Sequence, residues 1–145
     1  MKIVIDGDAC PVKELAIQIA KEHSIEVIIY FDTAHVYSSE YATVKFVEKG
    51  FDSVDFAILN SVKKGDIVIT NDYGLSGMLI TKGCFVVTAF GLEITNFNIE
   101  QLLGQRYINQ QARKAKVRTK GPKKRTTEDD QKFVYTFKNI IKHTH

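Results

Sequence analysis

The sequence has few of the features that mark secreted, disulfide-rich or membrane proteins. Its 145 residues include two cysteines, neither in a CxxC pair, and four scattered histidines. Two isolated cysteines predict free thiols rather than a disulfide, a zinc site or a redox motif. No apolar run approaches the roughly 20 residues that span a bilayer, and the N-terminus lacks the long apolar centre of a signal peptide. We therefore expect a cytoplasmic protein without a membrane partner.

Length and composition predict a single domain over residues 1–145. Hydrophobic residues make up 44% of the chain and charged residues 26%, as in ordinary globular proteins. A chain of this length can bury a core without disulfides. The pattern contains no internal repeat, and it leaves the oligomeric state open, a homodimer included.

Charge is unevenly distributed along the chain. Residues 1–100 carry 14 acidic and 8 basic residues, a net of −6, whereas residues 101–145 carry 3 acidic and 12 basic residues, a net of +9. An acidic body with a basic C-terminal segment predicts a polyanionic partner such as RNA, held through its phosphates without sequence readout; the alternative is a solvated helix face and turn. The predicted phosphate contacts are Arg106, Arg113, Lys114, Lys116, Arg118, Lys120, Lys123, Lys124 and Arg125.

Short β-branched runs alternate with helical patterns in the first ninety residues. This alternation predicts right-handed βαβ units, a mostly parallel five-stranded sheet and a three-layer α/β/α fold. The strands are predicted at 2–5, 25–31, 43–47, 66–70 and 84–88.

Beyond Gly91 the pattern becomes helical, so that residues 98–145 form a basic helical C-terminal extension. Residues 98–116 are predicted as a helix with an apolar side, and Thr127 and Asp130 as a capping box that opens a last helix. The apolar side of the first helix is Ile99, Leu102, Leu103, Tyr107 and Ile108, and that of the second is Phe133, Val134, Phe137, Ile140 and Ile141.

Aspartates are clustered where the carboxyl ends of the predicted strands meet. Asp6 and Asp8 follow the first strand and Asp72 follows the fourth, and ligands of open α/β sheets bind at that edge. Asp52 and Asp55 flank the start of the helix that leads to the fourth strand. Gathered carboxylates raise each other's pKa, so we expect a cation among them, and Mg²⁺ or Mn²⁺ suits such oxygen ligands.

Four of these aspartates also have a structural alternative. Asp8 and Asp72 could cap the helices that follow them, and Asp52 and Asp55 could serve as a cap and a partner of the helix dipole. Asp66 lies at the opposite edge and is interpreted as a turn residue.

The same segments resemble the YaiI/YqxD family of bacterial proteins, which is grouped with PIN-like domains. The resemblance covers nearly the whole chain and includes Arg106. Its main segments are Asp6-Gly7-Asp8-Ala9-Cys10-Pro11-Val12, Gly50-Phe51-Asp52 with Asp55, and Gly65 to Leu75.

The PIN-like resemblance implies metal-dependent cleavage of RNA or DNA, with Asp6, Asp55 and Asp72 as the catalytic carboxylates. Asp8 and Asp52 belong to the pattern of the narrower family. Two interpretations compete with the nuclease. A nucleic-acid-binding or regulatory protein of the same fold would need no catalysis. A phosphatase of the haloacid dehalogenase type is suggested by the Asp6-Gly7-Asp8 motif, although a lone DxD is a weak signal.

Overall fold

The computed structural model describes residues 1–32, 36–48, 53–115 and 124–144. Within these ranges the chain forms an α/β fold of six strands and five helices. The elements are β1 (Lys2–Asp6), α1 (Lys13–Glu22), β2 (Glu26–Asp32), β3 (Thr43–Val47), α2 (Ser53–Ser61), β4 (Ile67–Ile69), α3 (Tyr73–Thr81), β5 (Phe85–Val87), β6 (Glu93–Ile94), α4 (Ile99–Lys114) and α5 (Thr127–Thr144).

The strands form one sheet in the order β3-β2-β1-β4-β5-β6. The first five are parallel, as predicted, and β6 pairs antiparallel with β5. The predicted number of five strands is one too low, because β6 has only two residues and gives no alternating pattern. Since Ile5 pairs with Ile69, the carboxyl ends of β1 and β4 lie side by side, and Asp6 emerges beside Thr70.

Successive strand residues enter two separate hydrophobic clusters, as the two-residue period of a strand requires. Ile3 and Ile5 belong to a cluster that includes residues of α1 and α5, whereas Val4 belongs to one that includes residues of α2 and α3. All three side chains are fully buried. The hydrophobic strand runs are therefore covered on both sides.

Helix α5 docks closely on the loop before β6. A Cβ atom at Gly91 would lie 2.6 Å from the backbone of Lys132, so a glycine is needed where the helix meets the loop. The hydroxyl of Thr136 donates to the carbonyl of Gly91 at 2.7 Å, and the rings of Phe133 and Phe137 stack in the core beneath. The predicted apolar face of this helix is confirmed.

Two details of the predicted helices are wrong. Helix α1 begins at Lys13 rather than Pro11, and its N-cap residue is Val12 rather than Asp8. The capping pair of α5 is Thr126 with Asp129, one residue earlier than predicted, because Asp130 is engaged by Arg125. Helix α4 is close to its predicted bounds, and Ile99 and Leu102 on its apolar side pack against the core, whereas Leu103, Tyr107 and Ile108 are exposed.

The described helices include none that is both long and apolar enough to cross a membrane.

Candidate metal and phosphate site

Asp6 is the last residue of β1 and lies partly buried at the carboxyl edge of the sheet. The turn after it is tight: Gly7 donates its backbone N–H to the carbonyl of Tyr30 at 2.8 Å, and a Cβ atom at Gly7 would lie 2.7 Å from the Phe31 ring. Ala9 follows with a φ of 54°, a conformation that L residues rarely adopt. Backbone strain of this kind concentrates at functional sites.

Thr70 links the two aspartates that follow β1 and β4. Its hydroxyl donates to Asp6 Oδ2 at 3.0 Å and accepts the backbone N–H of Asp72 at 3.1 Å. Thr70 is not among the site residues predicted from the sequence. The available signal was a polar residue at the end of a buried strand, in register with Asp6 on the neighbouring strand.

Asp72 has the capping role that its sequence position allowed. Its Oδ1 accepts the backbone N–H of Leu75 at 3.0 Å, which fixes the carboxylate at the start of α3. Its neighbour Asn71 accepts the N–H of Ala89 at 2.8 Å, which holds the turn against the end of β5. Capping thus uses Oδ1 of Asp72, and Oδ2 remains for other contacts.

The charges of neighbouring predicted carboxylates affect the pKa of Asp6. Burial raises the pKa of Asp6 from 3.8 to about 6; the bond from Thr70 opposes this, and the charges of Asp55, Asp8 and Asp72 add to it. Asp55 contributes from the first turn of α2. Three further predicted metal ligands, Asp8, Asp55 and Asp72, therefore lie close enough for their charges to act on Asp6, and Asp52 lies outside the described residues.

A cavity of about 120 Å³ lies at this edge, lined by Asp6, Asp8, Thr70 and Asp72 among others. No three acidic, histidine or cysteine side chains within the described ranges are grouped closely enough to form a complete metal site. The cavity also borders Cys10, whose pKa is raised by burial. The three aspartates in its lining give the cavity its acidic character.

A larger groove of about 470 Å³ adjoins the acidic cavity and shares Asn71 and Asp72 with it. Its other wall is one face of α4, including Arg106 and Arg113. The guanidinium Nη1 of Arg106 lies 3.7 Å from Asp72 Oδ1. Two of the predicted phosphate contacts therefore lie beside the predicted carboxylates.

The other predicted phosphate contacts have different surroundings. Lys114 and Lys124 are exposed, whereas Arg125 is held inside the fold: Nε contacts Asp130 at 2.7 Å, Nη2 donates to the carbonyl of Ala89 at 2.7 Å, and the guanidinium lies over the Phe90 ring. Arg125 thus joins the residues just before α5 to Ala89, which lines the acidic cavity. Lys116, Arg118, Lys120 and Lys123 lie outside the described residues.

Asp66, at the opposite edge of the sheet, has a structural role. Its carboxylate accepts the backbone N–H and the ammonium of Lys2, at 3.0 and 2.7 Å, and the N–H of Lys63 at 2.8 Å. Burial alone would raise the pKa of Asp66, but these donors lower it below its usual range.

A family model described as "Uncharacterized BCR, YaiI/YqxD family" matches residues 4–143. The chain belongs to this family. It is 47% identical over 133 residues to a UPF0178 protein of Clostridium kluyveri, covering 92% of the chain and 88% of the relative. A UPF0178 protein of Clostridium acetobutylicum is 41% identical over 143 residues, with 97% of both chains covered. A third, from Natranaerobius thermophilus, is 44% identical over 98% of the chain and 94% of the relative.

The family resemblance found in the sequence is therefore confirmed. The family description and the names of these relatives state no activity, and no solved structure matches the chain.

Proposed function

We propose that the protein is a metal-dependent nuclease that hydrolyses phosphodiester bonds of RNA or DNA. The observation that carries this proposal is the meeting of an acidic cavity and an arginine-lined groove at Asn71 and Asp72. A phosphodiester chain bound by the arginines would pass the carboxylates. Carboxylates and cations in adjoining clefts are what phosphate chemistry with a divalent metal requires.

The donor set fits Mg²⁺ or Mn²⁺ better than zinc. The cavity offers the carboxylates of Asp6, Asp8 and Asp72, with Asp55 near enough to affect Asp6. Mg²⁺ usually binds through one or two carboxylates and keeps waters for substrate phosphate oxygens, so it does not need three grouped protein ligands. Such an ion lowers the pKa of a bound water and offsets negative charge on the phosphate. Asp52 completes the set in this proposal.

The protein groups have separate roles in this site. The Thr70 hydroxyl fixes one oxygen of Asp6 and leaves the other for the ion. Because a nearby cation favours the charged carboxylate, binding of the ion would release the proton that burial tends to keep on Asp6 near pH 6. Arg106 and Arg113 would bind a substrate phosphate next to the scissile bond, and substrate would draw Arg106 away from Asp72.

The PIN-like, three-layer α/β/α assignment of the single domain, residues 1–145, is part of the same proposal. Its support is the parallel sheet with hydrophobic clusters on both faces. The basic segment 98–145 would extend the binding surface for RNA beyond the groove.

The proposal is tested by incubating purified protein with single-stranded RNA in Mg²⁺, in Mn²⁺ and in chelator. We expect cleavage that needs an ion and falls by at least about 100-fold in the Asp6→Asn, Asp72→Asn double variant, because the loss of transition-state electrostatics is large. The control is Glu26→Gln, which removes an exposed carboxylate at the opposite edge. Equal cleavage by the double variant and the wild type would assign the activity to a contaminant and refute the proposal.

The ion pair between Arg106 and Asp72 favours a second candidate, a nucleic-acid-binding protein without catalysis. In that case the arginine balances the carboxylate permanently. RNA binding that is unchanged by chelator, with no cleavage in either ion, would select this second function.

A further inference from the structure

The groove beside the acidic cavity has a polar wall that cleavage of a phosphodiester bond does not require. One face of α4 lines the groove. The residues on this face recur at helical spacing and are Leu102, Gln105, Arg106, Asn109 and Arg113. The volume of about 470 Å³ lies within the range of roughly 300–1,000 Å³ that is usual for small-ligand pockets. The groove therefore has room for more than a phosphate group.

Two amide side chains stand side by side on this face. Gln105 Nε2 donates to Asn109 Oδ1 at 3.2 Å, one helical turn apart. This hydrogen bond uses one polar atom of each side chain. Within the described residues it leaves Gln105 Oε1 as an acceptor and Asn109 Nδ2 as a donor. A neighbouring donor and acceptor are what the hydrogen-bonding edge of a nucleobase can pair with.

The opposite wall supplies an aromatic surface. Tyr73 is the first residue of α3, lines the groove and packs in part against the hydrophobic cluster beneath the sheet. A tyrosine held by the core loses little conformational freedom when a base stacks on it, and stacking of this kind accepts any unpaired base.

The cationic side chains are placed for a phosphate. Arg113 lines the groove without an acidic partner among the described residues, whereas Arg106 faces Asp72 at 3.7 Å, where the cavity and the groove meet. A phosphate between them would be bound by Arg113 and would compete with Asp72 for Arg106.

We propose that this groove is a binding subsite for one unpaired nucleotide, with its phosphate at Arg106 and Arg113, its base against Tyr73 and its base edge at Gln105 and Asn109. Its place next to a scissile phosphate rests on the proposed nuclease function, whereas the binding itself does not. The subsite selects single-stranded nucleic acid, because a paired base offers neither a free face nor a free edge.

Binding is measured by calorimetry on the full chain in chelator, with adenosine 5′-monophosphate and ribose 5-phosphate as probes. The two probes share the sugar and the phosphate and differ in the base. We expect the nucleotide to bind at least about fivefold more tightly, as the loss of one stacked base would predict. Asn109→Leu should weaken the nucleotide by about five- to tenfold and leave ribose 5-phosphate unchanged, because only a base-edge contact is lost.

Arg113→Gln should weaken both probes, since both carry the phosphate. The matched controls are Gln111→Leu and Lys138→Gln, exposed changes outside the groove. Gln105→Leu repeats the test of the amide pair with an independent variant. The inference is overturned if both probes bind equally, or if neither amide variant affects the nucleotide. Normal nucleotide binding without ion-dependent RNA cleavage would refute the nuclease and leave the subsite standing.

Discussion

An aspartate lies at each end of the neighbouring strands β1 and β4. Asp66 at the amino edge and Asp6 at the carboxyl edge have chemically different surroundings. At the amino edge Asp66 accepts three hydrogen bonds, two of them from Lys2, whose ammonium lies 2.7 Å away. At the carboxyl edge Asp6 accepts a bond from Thr70, and its charged neighbours are three further aspartates. The pKa of Asp66 is lowered, and that of Asp6 is raised to about 6.

The Asp66 carboxylate stabilises the fold, whereas the Asp6 carboxylate does not. Asp66 is in the state that burial requires of a charge, since it is paired and hydrogen-bonded. Asp6 is partly buried among like charges, which destabilises the folded chain at neutral pH. Carboxylates kept in such surroundings are typical of functional sites. The amino edge thus contributes stability, and the carboxyl edge is the candidate for chemistry.

The largest effect is expected from Asp66→Asn. This change removes the charge that Lys2 and the backbone N–H groups contact, and we expect a loss of about 3 kcal/mol in the free energy of unfolding. Urea unfolding at pH 7 measures it. An unchanged midpoint would mean that the amino edge does not have the structural role given to it here.

Asp6→Asn is expected to act in the opposite direction. The change removes a charge whose burial raises its pKa by about two units, so we expect a gain of about 2 to 3 kcal/mol at pH 7. The amide oxygen can still accept the bond from Thr70. A loss of stability comparable to that of Asp66→Asn would remove the distinction between the two edges.

The pH dependence of stability separates the same two groups. The folded-state pKa of Asp6 lies above its unfolded value, so the folded chain binds more protons between about pH 4 and pH 6, and stability falls as pH rises through that window. The difference between Asp6→Asn and wild type should therefore grow from pH 4 to pH 6. The contribution of Asp66 is fully present above about pH 4 and is lost below it, because its folded pKa is lowered. Unfolding curves between pH 3 and pH 8 would contradict this if both differences were flat.

The smallest effect on stability is expected at the ion pair between Arg106 and Asp72. Arg106 and Asp72 are 3.7 Å apart with side-chain exposures of 48% and 37%, compared with 15% and 5% for Lys2 and Asp66. Solvent screens such an exposed pair, so Arg106→Gln should change stability by less than about 0.5 kcal/mol. Lys2→Gln is the matched substitution and should cost more. Equal losses in thermal or urea unfolding would contradict the contrast.

The placement of Asp6 and Asp72 could be predicted from the sequence because it follows from the pattern of strands. Two β-branched runs mark β1 and β4, and parallel pairing brings their carboxyl ends together. The role of Thr70 depends on the register of those strands, which the pattern does not give. Strand β6 is two residues long and pairs only because the turn at Gly91 returns the chain.

The limits of the sequence are clearest in the basic segment. The apolar residues of α4 have helical spacing, but spacing does not say whether a partner lies opposite, and Leu103, Tyr107 and Ile108 are exposed. Charge alone predicts Arg125 as a phosphate contact, whereas its guanidinium donates to Asp130 and Ala89. Both outcomes depend on tertiary contacts that composition cannot supply.

The central claim is that the carboxyl edge binds a divalent ion, and its most direct test is thermal unfolding in increasing Mg²⁺ or Mn²⁺. At ten times the dissociation constant, binding to the folded chain stabilises it by about 1.4 kcal/mol. We predict that the midpoint rises in wild type and in Glu26→Gln, and that it does not rise in the Asp6→Asn, Asp72→Asn double variant. No rise with either ion, or an equal rise in the double variant, would contradict the account.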